Sequence, residues 1–336
     1  MRRVGIIGCG SILRRHVEAI KSSRSYELVA LSDIQESILL DAFNRHGVPG
    51  YEDYHNMVTQ EKLDLVAIAT PNSLHTEQST YCLESGCDVL IEKPVALNPN
   101  DVLEIKRVAE QNQRKAYCIL QVRLNPAVRV LKAALDKGLL GTIRGMNLIQ
   151  RWQRPVEYFT GWRSIPLVGG GTLYECGIHY LDIMIHVLKK PKVVNATVYN
   201  TKHKHSEIED TIYSLFDFGD YGGTMEVTIA AEPHNLECSI SVMGSNGYIK
   251  LGGKAMNVIE SSNFLSHVCT LEFESLLRST PIPNKPNSYG SYAGSCPNHT
   301  ELYASIDDFE VDESYGSICL INEIYKKSNS KVKYYK

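Results

Sequence analysis

Five stretches in this chain carry residue types whose spacing could do chemistry. The first is Gly8-Cys9-Gly10, set between a short apolar run and a helical pattern. A first glycine permits a tight turn, and a second lets the backbone approach a pyrophosphate. The helix N-terminus beyond them offers N–H groups and a partial positive charge. Ser11 and Ile12 carry the loop into that helix, and Leu13 stands where the usual fingerprint has a third glycine, which predicts a looser helix–strand contact. Asp33 ends the second strand, where its carboxylate would accept from a ribose 2′-hydroxyl and repel a 2′-phosphate. Ile34 follows, with no Arg to receive that phosphate, so the loop predicts a dinucleotide site for NAD rather than NADP. The alternative is an ordinary glycine turn; strand, glycine pair, helix, strand and Asp in this order count against it.

Three further features fall at strand ends, where doubly wound sheets bind ligands: Thr70-Pro71-Asn72 with His75 beyond, Glu92-Lys93-Pro94, and Gln121-Val122-Arg123. Pro94 biases Lys93 towards an extended backbone, and the bland reading of Lys93 is a solvated surface lysine. Arg123 suits a substrate anion because its fork is bidentate and always charged; a structural salt bridge is an equal alternative. After Gly169-Gly170-Gly171, Glu175, His179, Asp182 and His186 fall at i, i+4, i+7 and i+11 of one helix, among Leu173, Ile178, Leu181, Ile185 and Leu188. Ionisable groups on an apolar helix are costly unless they are paired or face a cleft. The stripe reads as a general acid–base pair on a rigid helix, against a satisfied core histidine or a metal site. No further ligands point towards it, and no metal is expected.

The elements that must position these residues are legible from periodicity. Strand-like runs at 3–7, 27–32, 64–70, 88–92 and 116–121 alternate with helical patterns, which predicts a parallel sheet with helices on both faces. Beyond 121 come a helix over 127–137, a strand over 143–152 and an apolar helix over 172–188. Runs at 193–201, 210–218, 223–230, 236–243 and 247–251 then predict an antiparallel or mixed sheet. Residues 278–300, rich in Pro, Gly, Ser and Asn, form a long loop in which Tyr289 and Tyr292 could stack on a base or meet another subunit, and a last helix is expected over 314–326. The fold class is therefore α/β: a Rossmann dinucleotide-binding domain over 1–121 and an α+β domain with a large open, mostly antiparallel sheet over 122–336.

Composition excludes several classes. Over 336 residues, 22% charged and 43% hydrophobic usage rules out a disordered chain, and a net charge of −3 gives no general attraction for nucleic acid or anionic membrane. The nine Cys form no Cys-x-x-Cys pair, which fits reduced thiols in a reducing compartment. No apolar stretch approaches a membrane span and no signal peptide is evident, so a cytoplasmic protein is expected.

The motifs together resemble the glucose–fructose oxidoreductase / inositol dehydrogenase (Gfo/Idh/MocA) family. The resemblance runs through Gly8-Cys9-Gly10, Thr70-Pro71-Asn72 with His75, Glu92-Lys93-Pro94, Gly161-Trp162-Arg163 and Gly169 to Asp182. LQVRLNP (120–126), GGGTLYECGIHYLD (169–182), MGSNGYIKLGGKAMNVIE (243–260) and CPNHTELY (296–303) look more specifically like bacterial enzymes that oxidise the 3-hydroxyl of UDP-N-acetylglucosaminuronic acid with NAD. Such enzymes supply 3-keto sugars for surface polysaccharide. The resemblance implies cofactor contacts from Gly8, Gly10, Ser11, Ile12, Asp33, Thr70, Asn72, His75, Glu92 and Arg163. It implies that Lys93 and His179 flank the reacting hydroxyl and that Glu175 orients His179 or contacts the sugar, with Arg123 and Asn125 in the substrate pocket. Glu175 departs from the usual Asp or Asn, and Asn125 stands where the subgroup often has His. A related sugar or inositol dehydrogenase or ketoreductase, and a non-catalytic NAD-binding regulator, are the competing readings. A homodimer or homotetramer is expected.

Overall fold

The structure is a computed structural model that describes residues 1–283 and 299–329; Tyr289 and Tyr292 lie outside them. The chain begins with β1 (Arg2–Ile7), α1 (Leu13–Ser22), β2 (Tyr26–Ser32), α2 (Glu36–His46), β3 (Gly50–Tyr51), α3 (Tyr54–Gln60), β4 (Leu65–Ile68), α4 (His75–Glu84), β5 (Asp88–Ile91), α5 (Pro99–Gln111) and β6 (Ala116–Cys118). These strands form one parallel sheet in the order β3-β2-β1-β4-β5-β6. Strand order reverses between β1 and β4, the point at which such sheets open a crevice for ligand. Leu65–Ile68 and Val89–Ile91 are fully buried, which is why they read as continuous apolar runs rather than alternating ones.

Local signals set the helix ends. The Asn98 side chain accepts from the Asn100 N–H, and Pro99 takes the first position of α5. Helix α2 stops on Gly47, whose φ of 69° is left-handed. The short β3 and α3 have too few residues for a period to show; α3 is announced only by the Asp53 side chain capping the His55 N–H.

The second unit contains α6 (Pro126–Asp136), β7 (Ile143–Arg151), α7 (Pro166–Gly169), α8 (Ile178–Val187), β8 (Lys192–Tyr199), β9 (Thr211–Asp217), β10 (Gly222–Thr228), β11 (Glu237–Gly244), β12 (Gly247–Gly252), β13 (Val258–Phe264) and α9 (His267–Ser279). Its seven-stranded sheet runs β13-β12-β11-β7-β10-β9-β8, with only β7 and β10 parallel. Register aligns Ala196, Ser214, Met225, Leu148, Ile240 and Leu251 in one buried row. Each large apolar side chain in it contributes about 1.5–3 kcal/mol by leaving water. The adjacent row, Asn195, Leu215, Thr224, Asn147, Ser241 and Lys250, points to the opposite face. Strand β13 and helix α9 lie beyond the last strand that periodicity indicates.

Two findings differ from the simple reading. The helix expected over 172–188 opens with a π-helical turn, Leu173–Gly177, before α8, which holds extra residues in that turn and shifts the phase of the stripe. Residues 299–318, carrying α10 (His299–Ala304) and the start of α11 (Tyr315–Lys327), belong with Met1–Gln121, whereas 122–283 and 319–329 form the other compact unit. Among the described residues no cysteines are joined in disulfides, and no helix is long and apolar enough to cross a membrane.

Candidate active site

The glycine loop is built for close approach. Gly8 has φ +98°, and a Cβ there would lie 2.5 Å from the Ala69 carbonyl oxygen at the end of β4, so only glycine fits. The Gly8 N–H donates to the Ser32 carbonyl at 2.8 Å, tying the loop to β2. A Cβ on Gly10, by contrast, would meet no protein atom within 4 Å. The second glycine thus fronts open space just before the N-terminus of α1, as a pyrophosphate requires. Leu13 is buried and fills the place of the third glycine with ordinary core packing.

Asp33 serves the loop directly. Its Oδ2 accepts from the Cys9 N–H at 2.8 Å and its Oδ1 from the Gln35 N–H at 2.9 Å. Burial, with the Asp33 charge nearby, pushes the Cys9 thiol up to about 12, so Cys9 stays a neutral apolar filler. Gly8, Gly10 and Asp33, with Ser11 and Ile12 leading into α1, fit a dinucleotide. Replacing Asp33 by Asn keeps an acceptor for the Cys9 N–H but removes the charge. We expect NADH to bind roughly 10- to 100-fold more weakly, the worth of a charged hydrogen bond, while NADPH binding is unchanged or improved. Fluorescence titration with both cofactors measures this; equal losses for both would remove Asp33 from discrimination.

The turns after β4 and β5 are held together by one histidine. His75, fully buried, places Nδ1 2.8 Å from the Pro94 carbonyl and Nε2 3.0 Å from the Thr70 carbonyl. It shows no surface to a ligand, so its influence on a cofactor runs through the positions of these turns. Thr70 Oγ1 donates to Gln78 Oε1 at 2.6 Å, and Asn72 is buried in the 3-10 turn Asn72–Leu74. The Lys93–Pro94 peptide is cis, and the Lys93 side chain is half-buried.

Glu92 is also buried, among side chains of its own unit. His299 Nε2 donates to its Oε1 at 2.7 Å, His16 Nε2 lies 3.2 Å from the same oxygen, and the Lys93 N–H donates to Oε2 at 3.1 Å. Burial alone would raise this carboxyl; the two imidazoles set against it hold it well below the usual range. Burial also lowers His16, which keeps it neutral. His299 and His16 escape sequence reasoning because neither belongs to a periodic or spaced pattern with Glu92.

In the second unit the two acids of the polar stripe take arginine partners from outside it. Arg123 forks onto Asp182, Nε to Oδ2 at 2.8 Å and Nη2 to Oδ1 at 2.7 Å, with side-chain exposures of 9% and 2%. This is the salt-bridge alternative for Arg123. Asn125 is the buried cap of α6: Oδ1 accepts from the Ala127 N–H at 3.0 Å, and Nδ2 donates to the Met256 carbonyl at 3.2 Å.

Glu175 lies in the π turn, and its Oε2 accepts from Arg163 Nε at 3.1 Å and from the Tyr158 hydroxyl at 3.4 Å. The Arg163 guanidinium lies over Trp162, 4.3 Å from the ring centre, and over Tyr158 at 5.6 Å. Arg163 therefore orients Glu175 within its own unit. Tyr158 is the group sequence reasoning missed; burial, with Cys176 and Glu175 beside it, raises its hydroxyl well above the usual value. The glycine triplet has a local cause. Gly170 and Gly171 have φ +81° and +90°, and a Cβ on Gly169 would stand 3.0 Å from the Arg163 backbone. His179, half-buried on the first turn of α8, sits one turn before Asp182.

Residues 2–120 match the oxidoreductase family with an NAD-binding Rossmann fold, and residues 128–250 match the Gfo/Idh/MocA C-terminal domain. Oxidoreductase P35 of Formosa agariphila is 25% identical over 276 residues, 78% of this chain and 82% of its own length. D-glucoside 3-dehydrogenase of Escherichia coli is 29% identical over 202 residues, 59% of this chain and 57% of its own. The WlbA dehydrogenase from Chromobacterium violaceum, solved with NADH and UDP-GlcNAcA, superposes with a TM-score of 0.86 and 27% identity, covering 97% of this chain and 93% of that one. With the glycine loop, the Glu-Lys-Pro turn and the acid–histidine helix each in its matched half, the protein belongs to the Gfo/Idh/MocA family of NAD-binding oxidoreductases.

Proposed function

We propose that this enzyme oxidises the 3-hydroxyl of UDP-N-acetylglucosaminuronic acid, supplying a 3-keto nucleotide sugar for surface polysaccharide. The observation that carries this reading is the likeness over 97% of the chain, at 27% identity, to a dehydrogenase solved with NADH and UDP-GlcNAcA. NAD, when bound by the Gly8–Gly10 loop and Asp33, supplies the hydride acceptor. The chain's own residues manage the proton and the charge. His179, as a neutral imidazole, accepts the hydroxyl proton, and the Lys93 ammonium donates a hydrogen bond to the oxygen as it gains charge. Glu175, held by Arg163 and Tyr158, presents its carboxylate to a sugar hydroxyl. Exposed Val194, Tyr199, Tyr213, Leu215, Met243 and Tyr248 on the second unit's sheet support a homodimer or homotetramer.

A second reading, oxidation of a simple glucoside or inositol, is favoured by the 29% identity to D-glucoside 3-dehydrogenase. Substrates separate the two. Protein and NAD are given UDP-N-acetylglucosaminuronic acid, methyl glucoside or myo-inositol, each with and without 2-oxoglutarate, and the reduced cofactor is followed by absorbance. The expected result is a kcat/KM for the nucleotide sugar at least about a hundredfold above the others, since a site built for polar groups rejects analogues lacking them. Preference for the glucoside or inositol overturns the substrate. Binding of NAD with no turnover of any of them favours a regulatory protein instead.

A further inference from the structure

We infer that His16, Glu92 and His299 form a buried clamp that sets the position of Lys93, making both histidines positioning residues for the reaction. This rests on the role given to Lys93 above. The three side chains come from α1, the end of β5 and α10, all within the first unit, and all are buried. Glu92 divides its two oxygens between different tasks. Oε1 faces His299 Nε2 at 2.7 Å and His16 Nε2 at 3.2 Å, while Oε2 takes the Lys93 N–H at 3.1 Å. The carboxylate is thus a rigid bracket between two imidazoles and the backbone that bears the lysine.

Tyr303, also on α10, has its hydroxyl 2.9 Å from His16 Nδ1. If that hydroxyl donates, His16 carries its proton on Nε2, facing Glu92. His299 Nε2–H donates to the same oxygen, so both imidazoles turn a ring nitrogen towards one carboxylate. The lowered His16 pKa agrees with this arrangement. Tyr303 is itself anchored, its carbonyl accepting from the Tyr26 hydroxyl at 3.1 Å. On the far side of the turn, His75 holds the Pro94 carbonyl at 2.8 Å. Lys93 therefore lies between two pinned neighbours, and the direction in which its side chain leaves the backbone follows from theirs. A buried charge held this way is costly to disturb, because losing a partner leaves the carboxylate undersatisfied.

The same three ligand atoms lie within 4.8 Å of one another, so a metal ion is the rival occupant of this cluster. The 2.7 Å separation between His299 Nε2 and Glu92 Oε1 is that of a direct hydrogen bond, shorter than the ~3.3 Å expected between neighbouring ligands of a tetrahedral site with bonds near 2 Å.

The test uses full-length protein and the variants Glu92→Gln, His299→Leu, His299→Gln and Lys93→Met. Two readouts are taken. Competitive labelling with acetic anhydride, read by mass spectrometry, reports the reactivity of the Lys93 amine without any substrate. Steady-state rates with NAD and UDP-N-acetylglucosaminuronic acid report kcat and KM separately. In Glu92→Gln and His299→Leu we expect Lys93 labelling to change severalfold and kcat to fall about 10- to 100-fold, the scale of a misplaced reacting group, with KM and NADH affinity within about threefold. Gln at 299 retains an N–H donor and should recover most of both. Should His299→Leu fail to fold, Glu92→Gln and His299→Gln decide the matter. Unaltered Lys93 labelling and kcat in folded Glu92→Gln overturns the clamp, as does stoichiometric metal in the purified wild type by elemental analysis. Wild-type kcat in Lys93→Met overturns the role of Lys93 instead, and the labelling comparison still judges the clamp on its own.

Discussion

Lys93→Met is expected to lower kcat by about three orders of magnitude while NADH binds with near wild-type affinity. Methionine keeps the length and apolar stem of lysine but has neither charge nor donor. Losing one preorganised donor to a developing alkoxide costs about 10²–10³ in rate, and losing a positioned acid–base group about 10²–10⁴. The fold should tolerate the change, because the Lys93 side chain is half-buried at a turn whose anchors are the side chains of Glu92 and His75. Cofactor affinity should hold because the phosphate loop and Asp33 stand on different strands from Lys93. Stopped-flow and steady-state rates, with NADH titration as the control, measure both. A variant within threefold of wild type in kcat would falsify the assignment, and a loss confined to NADH binding would move Lys93 from the reaction to the cofactor.

The second large effect concerns stability. Asp182→Leu takes away the carboxylate onto which the Arg123 guanidinium, 9% exposed, forks at 2.7 and 2.8 Å. Removing one partner of a buried pair typically costs about 3–5 kcal/mol, because the remaining charge is neither solvated nor compensated. The double variant Arg123→Met/Asp182→Leu should recover most of that loss, since an apolar pair of similar volume is often neutral. Urea denaturation of the two single variants and the double variant, treated as a cycle, isolates the coupling. Additive losses, with no recovery in the double variant, would show that packing rather than the ion pair is at stake. His179 is one turn from Asp182 on α8, so kcat at temperatures where Asp182→Leu remains folded should fall as well.

The chain's local signals were enough for the framework. Gly8, Gly10 and Asp33 are readable in order because a turn with φ +98° and a strand-end carboxylate depend on a few adjacent residues. The buried strands 65–68 and 89–91 announce a parallel sheet because both their faces are covered, leaving no polar alternation. The family motifs, being short and contiguous, are readable for the same reason. Weak local signals hid α3 and β3, and the extra residues of the π turn at 173–177 leave no mark on a pattern read at 3.6.

Partner choice was not readable, because it is decided by which polar groups burial forces together, and those groups are far apart along the chain. Arg123 could equally have met an anion; folding placed it on Asp182. Glu175 shared a stripe with His179 on paper; in the fold it takes Arg163 and Tyr158, which no spacing announced. Glu92 resembled a cofactor residue, and tertiary structure buried it between His16 and His299, the latter carried back into the first unit by 299–318. Sequence alone therefore determined the sheet, the phosphate loop and the residues able to do chemistry. Only tertiary structure decided which of them are held, and by what, since a buried hydrogen bond must be satisfied by whatever group the packing brings within 3 Å.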